Sequence, residues 1–313
     1  MLHLRLITPA DRTDDAVRLI ERTVGTTHLV VVPGAARHPA GDVVMCDVAR
    51  EAGDELIAGL RALGLDEHGS IAVETIDLSL SRRADEAKEE APGEGADAVL
   101  WEHLTDVTHE ESTLSATYLA FLTLATMIAA CGVVLDNAVL IVGAMAVGPE
   151  FGPLAGLCTA LVQRAPRLAV RSLTALLVGF AVALLVTVGF TYFMDAVDLF
   201  TRVRLEAERP NTNFIYRPDA FSFVVAVLAG IAGTLSLTSA KSSALVGVAI
   251  SVTTVPAAAN AAVAFAYDEY RQAWGSTEQL LLNLLGIVLA GTLTLLAQKY
   301  LWSRQRERAA ELG

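Results

Sequence analysis

The sequence predicts an α-helical polytopic membrane protein of about six spans, with two broken helices in an inverted repeat. An N-terminal α+β domain of ferredoxin-like βαββαβ order precedes the spans. Three observations support this. The 313 residues are 53% hydrophobic with mean hydropathy +0.49, too apolar for an ordinary soluble chain. Charge is uneven: residues 1–113 hold 10 Lys+Arg against 23 Asp+Glu, net −13, and all six histidines, while residues 114–313 are close to neutral. Long apolar segments follow residue 114, and two are interrupted by prolines among small residues.

The N-terminal part reads as alternating elements. Residues 2–8 place Leu2, Leu4 and Leu6 against His3 and Arg5, a half-buried strand. Residues 11–23 form a helix carrying Ala16, Val17, Leu19 and Ile20. Residues 28–32 form a short strand closed by a turn at Pro33-Gly34, and residues 42–48 a third strand. Residues 54–65 are amphipathic through Leu56, Ile57, Leu60 and Leu63, and residues 70–80 alternate as a fourth strand. This order is the split βαββαβ unit. No catalytic constellation or phosphate loop stands out in it, so its expected role is regulation or assembly, and no cofactor is expected. The expected boundaries are 1–80 for this domain, 81–97 for a flexible acidic linker and 98–113 for an interfacial amphipathic helix. That helix has Leu100, Leu104 and Val107 on one face and Trp101 at the expected membrane boundary. His103, Asp106, His109 and Glu110 share its other face, which makes them weak metal candidates. A solvated polar face is the favoured reading, because helical spacing clusters polar residues on any amphipathic helix.

The acidic N-terminal part argues against nucleic acid as a partner. Cys46, Cys131 and Cys158 lie in apolar stretches without metal or disulfide spacing. The first seven residues lack the apolar run and cleavage site of a signal peptide, so the first domain is expected in the cytoplasm.

The transmembrane domain is expected over 114–302, with repeats at 114–194 and 220–301 and a basic cytoplasmic tail at 303–313. Its spans read 114–135, 138–163, 173–194, 220–238, a fifth from Lys241 to near Tyr267, and 280–301. The second span holds Val142-Gly-Ala-Met-Ala-Val-Gly-Pro-Glu-Phe-Gly-Pro-Leu-Ala-Gly156. Gly148, Pro149, Gly152 and Pro153 predict a break, because proline removes a helix donor and crowds the carbonyl four residues back. Freed backbone groups at membrane depth survive only inside protein or beside a polar cavity. Glu150 sits within this break, and an ionisable residue there is a functional-site candidate for a proton or cation. A weaker echo runs from Leu245 to Asn260 and contains Pro256. Ser251, Thr253, Thr254 and Asn260 there offer neutral oxygens, although interhelical packing is the plainer role for each alone. Arg164, Arg167, Arg171, Lys241 and the tail fall on one side if every segment crosses once, which puts both termini in the cytoplasm. Three spans per half then make the second repeat inverted.

The stretches at 142–156, Ala229-Gly-Ile-Ala-Gly-Thr-Leu-Ser-Leu-Thr238, Leu245-Val-Gly-Val-Ala-Ile-Ser-Val252 with Pro256, and Leu282-Asn-Leu-Leu285 occur in this order. Together they resemble the domain of unknown function 389 family of bacterial and archaeal membrane proteins, over about residues 114–301. The resemblance implies an integral membrane protein, often with a cytosolic N-terminal domain, and no particular activity. The commoner family pattern has apolar residues where Glu150 and Phe151 sit, so a role for Glu150 belongs to this chain.

Function therefore reads first as a transporter or channel-like protein of the cell membrane for a small solute or ion. The bilayer and a homo-oligomer are the expected partners. The alternative is a membrane-anchored sensor or scaffold whose N-terminal domain binds a ligand or partner. An intramembrane enzyme is disfavoured: the membrane half has no histidine, and Glu150 is its only acid well inside a span.

Overall fold

The computed structural model describes residues 1–76, 78–91, 99–217, 219–239 and 253–312, with backbone alone for 302–312. Residues 1–102 and 299–313 form one compact unit and residues 103–298 another.

In the first unit, strands β1 (Leu2–Thr8), β2 (Thr26–Arg37), β3 (Ala40–Val48) and β4 (Ser70–Thr75) make one sheet of order β2-β3-β1-β4, antiparallel throughout. Helices α1 (Thr13–Arg22) and α2 (Arg50–Ala62) follow β1 and β3. Leu2, Leu4, Leu6, Val44, Cys46 and Val48 point to one face and meet Ile20, Leu56 and Leu60 in the core. That follows from the two-residue period of strands and the apolar stripe of each helix. Burial pushes the Cys46 thiol up to about 12, which fits a small buried hydrophobe.

Three sequence expectations change here. Pro33-Gly34 does not turn the chain: β2 runs on to Arg37 and the hairpin closes at His38-Pro39. The pair instead falls in a register shift between Val32 and Ala36, where Gly34 has φ +64° and donates its N–H to Asp42 Oδ1 at 2.7 Å. β4 stops at Thr75 rather than 80, because its partner β1 begins at Leu2, opposite Thr75; Leu78 and Leu80 are exposed. Residues 82–90 of the expected linker are helix α4 (Arg82–Glu90), which buries Ala84 and Ala87. A short helix α3 (Leu65–His68) follows Gly64, whose φ of +70° ends the preceding segment.

The second unit is helical. It starts within α5 (Trp101–Glu111) and continues through α6 (Ala116–Val134), α7 (Ala138–Val147), α8 (Phe151–Gln163) and α9 (Pro166–Ala196). After the short α10 (Arg202–Glu206) and a 3-10 turn (Asn213–Tyr216) come α11 (Ala220–Thr238), α12 (Thr254–Ala266) and α13 (Tyr270–Leu312). Among the described residues, α6, α9, α11 and residues 270–301 of α13 are long and apolar enough to cross a membrane. The α7–α8 pair adds a fifth candidate, bent by 53° at its break. These are the helices of a membrane protein. Ser115, Asn137 and Asp219 cap α6, α7 and α11 by accepting N–H bonds from their first turns.

The last span was expected to start at Leu280 after a loop, but α13 starts ten residues earlier, at Tyr270. The segment between the expected third and fourth spans is itself folded over residues 195–217, where Phe200, Leu205 and Ile215 are buried in the helical core. α12 is buried on nearly every side and packs against α6, α7 and α9. Its alanines let these backbones approach closely. By contrast, α9 turns Leu177 and Leu185 outward. Lys241, Ser251 and the start of the second broken stretch at 245–252 lie outside the described residues.

Candidate functional site

The break expected near Gly148–Pro153 is present and falls at Gly148, Pro149 and Glu150, between α7 and α8. Gly148 is required by closeness: a Cβ there would strike Glu150 Oε2 and Val255 Cγ2. Gly152 is likewise pressed against the Glu111 side chain. Pro153 plays a different part from the one expected. It is the third residue of α8, in the first turn, where the missing N–H has no intrahelical acceptor to lose. Proline starts this half-helix rather than interrupting it.

α12 repeats the arrangement. It also has 13 residues, and its third is Pro256. At about 1.5 Å per residue each spans about 20 Å, short of the ~30 Å hydrocarbon core. The two helix starts meet. Glu150, the N-cap residue of α8, accepts at Oε1 a 2.7 Å hydrogen bond from Thr254 Oγ1, the first residue of α12. Glu150 is buried, and its Oε2 has no partner among the described residues. A carboxylate is favoured at a helix N-terminus by the exposed N–H groups and the helix dipole.

The polar surroundings extend well beyond the break. On α13, Gln272, Ser276, Gln279 and Asn283 recur at spacings of four, three and four, so they share one helix face. Ser276, Gln279 and Asn283 are buried. Asn283 Nδ2 donates to Thr253 Oγ1 at 2.8 Å, and Gln279 Nε2 donates to Asn283 Oδ1 at 3.2 Å. One turn away, Asn260 Nδ2 of α12 donates to Ser276 Oγ at 2.6 Å. Asn260 Oδ1 accepts from Arg209 Nη1 at 3.1 Å, and Arg209 Nη2 donates to Gln272 Oε1 at 2.7 Å. A buried polar seam thus runs between α12 and α13, with Arg209 at one end and the Thr253–Thr254 step at the other, where Glu150 sits. A cavity of about 390 Å³ adjoins the break, lined by Glu111, Tyr118, Gly148, Pro149 and Gly152 among others. A second, of about 330 Å³, is lined by Phe214, Asp219, Phe221, Thr253 and Asn283 among others.

Of the residues expected at the site, Glu150, Gly148, Thr254 and Thr253 are brought together, with Pro149, Gly152, Pro153 and Pro256 shaping the two helix starts. Asn260 lies farther along the seam. Ser251 is outside the described residues. His103, Asp106, His109 and Glu110 are exposed, and no group of three or more His, Cys, Asp or Glu side chains among the described residues is placed to hold a metal. Arg209, Gln272, Ser276 and Gln279 were not anticipated. The four-three-four polar spacing on α13 was the available signal, masked by the nearby charges Asp268, Glu269, Arg271 and Glu278.

Residues 145–289 match the family described as "Domain of unknown function (DUF389)". The matched stretch contains the break and every seam residue named above, and none of the sheet unit. The chain is also similar to the "Uncharacterized protein MJ0678" of Methanocaldococcus jannaschii, 23% identical over 223 residues that cover 70% of this chain and 67% of that protein. No solved structure matches the chain significantly.

Proposed function

We propose that this protein is a transporter or channel-like protein of the cell membrane for a small solute or ion. Its site would lie where α8 and α12 begin. The observation that supports this most is the buried Glu150–Thr254 contact between two half-helices of equal length, each with proline at its third position. Paired half-helices that begin near mid-membrane are a recurring way to build a transport site. In this reading residues 114–194 and 220–301 are inverted repeats, six segments cross the bilayer, and both termini are cytoplasmic. Glu150 binds a proton or cation, and Thr253 and Thr254 supply oxygens beside it; Ser251 and Asn260 are further oxygen donors of the same path. The sheet unit, whose order β2-β3-β1-β4 supports a ferredoxin-like reading, regulates or assembles a homo-oligomer. A membrane-anchored sensor, the second reading, has no need of a buried seam.

The test is flux across proteoliposomes containing the full chain, under imposed proton and alkali-cation gradients. Wild-type vesicles should dissipate a gradient faster than protein-free vesicles, and Glu150→Gln should slow this at least about tenfold without changing the unfolding midpoint. Wild-type vesicles as tight as empty ones would leave the sensor reading standing.

A further inference from the structure

Among the described residues of the helical unit, Arg209 is buried as Glu150 is, and its surroundings are unusual. It is only 4% exposed. Among the described residues no carboxylate lies within 4.0 Å of its nitrogens. Its partners are neutral: Asn260 Oδ1, Gln272 Oε1 and the ring of Tyr216, whose centroid lies 5.2 Å from Cζ. Its Nε has no partner among the described residues. A guanidinium carries five N–H donors; with two bonds to amide oxygens and the Tyr216 hydroxyl in reach, Nε is the nitrogen left bare. The carboxylate near enough to influence it, Asp136, acts through space and forms no ion pair with the guanidinium. That side chain accepts from Asn211 N, Asn211 Nδ2 and Thr212 Oγ1.

Burying an arginine without a counter-charge is costly, and amide oxygens only partly offset the loss of water. A structural anchor would ordinarily be paired with an acid. Here the acid's place beside the fork is taken by Gln272, which is half-exposed and so leaves an approach from the surface.

We propose that Arg209, with Gln272 and Ser276 beside it, binds a small anion that completes the charge balance of the buried seam. The shared chemistry is a compact negative group: a free inorganic anion, or the phosphate of an anionic lipid headgroup. The fork of Arg209 holds it, and the amide of Gln272 and hydroxyl of Ser276 orient it. This site does not require that the protein transports anything.

The test is thermal unfolding of the full chain in neutral detergent, with bulky gluconate as the starting anion and constant ionic strength. One arm replaces gluconate with chloride and then with phosphate. The other adds phosphatidylglycerol, with phosphatidylcholine as control. A saturable rise in midpoint of about 3 °C or more is expected in at least one arm, and the arm that responds identifies the source. Arg209→Gln should abolish the rise. Gln272→Glu supplies a counter-charge within the chain, so it should raise the midpoint in gluconate and flatten the response. It also decides the matter if Arg209→Gln does not fold. No saturable response in either arm, or an undiminished response in Gln272→Glu, would overturn the proposal.

Discussion

The two units solve the burial of polar groups in opposite ways. The sheet unit fills its interior with Leu2, Leu4, Leu6, Leu56 and Leu60 and leaves most of its charges at the surface. The helical unit turns Leu177, Leu185, Phe221 and Leu293 outward and lines part of its interior with Glu150, Asn260, Ser276, Gln279 and Asn283. Water rewards the first arrangement and a bilayer permits the second. What the contrast teaches is where to look for function. In the sheet unit the few buried polar groups, such as Thr8, Thr13 and Asp47, are paired locally with one another or with His3 and His28. In the helical unit several interior polar groups are bonded in short runs, Thr253–Asn283–Gln279 and Ser276–Asn260–Arg209 among them, and each costs free energy unless paired.

That contrast can be broken most severely by giving the sheet unit a seam of its own. Leu56→Asn would place an amide with no partner in a fully buried site and remove packing volume. A loss of about 4 kcal/mol or more is expected, read as an early unfolding transition of the sheet unit by denaturant titration. A near-neutral result would mean that this core tolerates polar groups after all. The next largest effect should come from Gly156→Val in α8. A Cβ there would strike the hydroxyls of Ser112 and Ser172, which bond each other at 2.9 Å. The expected cost is about 3 kcal/mol. A Cβ at Gly143 in α7 meets nothing within 4 Å, so Gly143→Ala should be silent in the same assay.

Making the seam apolar should cost less. Asn283→Leu strands Thr253 and Gln279, and a drop of about 1–3 kcal/mol is expected from the lost partners. Asn283→Gln should restore only part of it. Stability unchanged by the leucine would show that this polar run is not cooperative. The smallest effect belongs to the sheet unit's surface. Asp42 accepts from Thr13 Oγ1 and Gly34 N, which holds its carboxyl below the ordinary 3.8. A lowered carboxyl stabilises the fold above its ordinary value, and that contribution fades as pH falls through the lower folded value. Asp42→Asn should therefore flatten acid unfolding below pH 3.8, followed by circular dichroism. Parallel acid curves would remove the assignment.

The contrast also explains what was legible in the sequence. Alternating Leu2, Leu4 and Leu6 placed β1 with its correct inner face, and Gly148-Pro149 placed the break, because both are local rules. The end of β4 was not legible, since it is set by where β1 begins. Pro33-Gly34 looked like a turn, yet a bulge uses the same residues. α4 reads as a charged linker, because only Ala84 and Ala87 report its buried side. Arg209 was hidden for a different reason: its depth depends on where the segment 197–219 folds, which no periodicity in that segment records.

The central claim is that the meeting point of α8 and α12 is a site that solutes reach, and not merely a packed interior. The most direct measurement is the reactivity of a single cysteine there. With Cys46, Cys131 and Cys158 replaced by alanine, Thr254→Cys would be exposed in intact vesicles to a small, membrane-impermeant thiol reagent, beside Ala129→Cys in the apolar core. The account predicts labelling of the position-254 cysteine, slowed by Glu150→Gln, and none at position 129. Equal protection of both positions would contradict it.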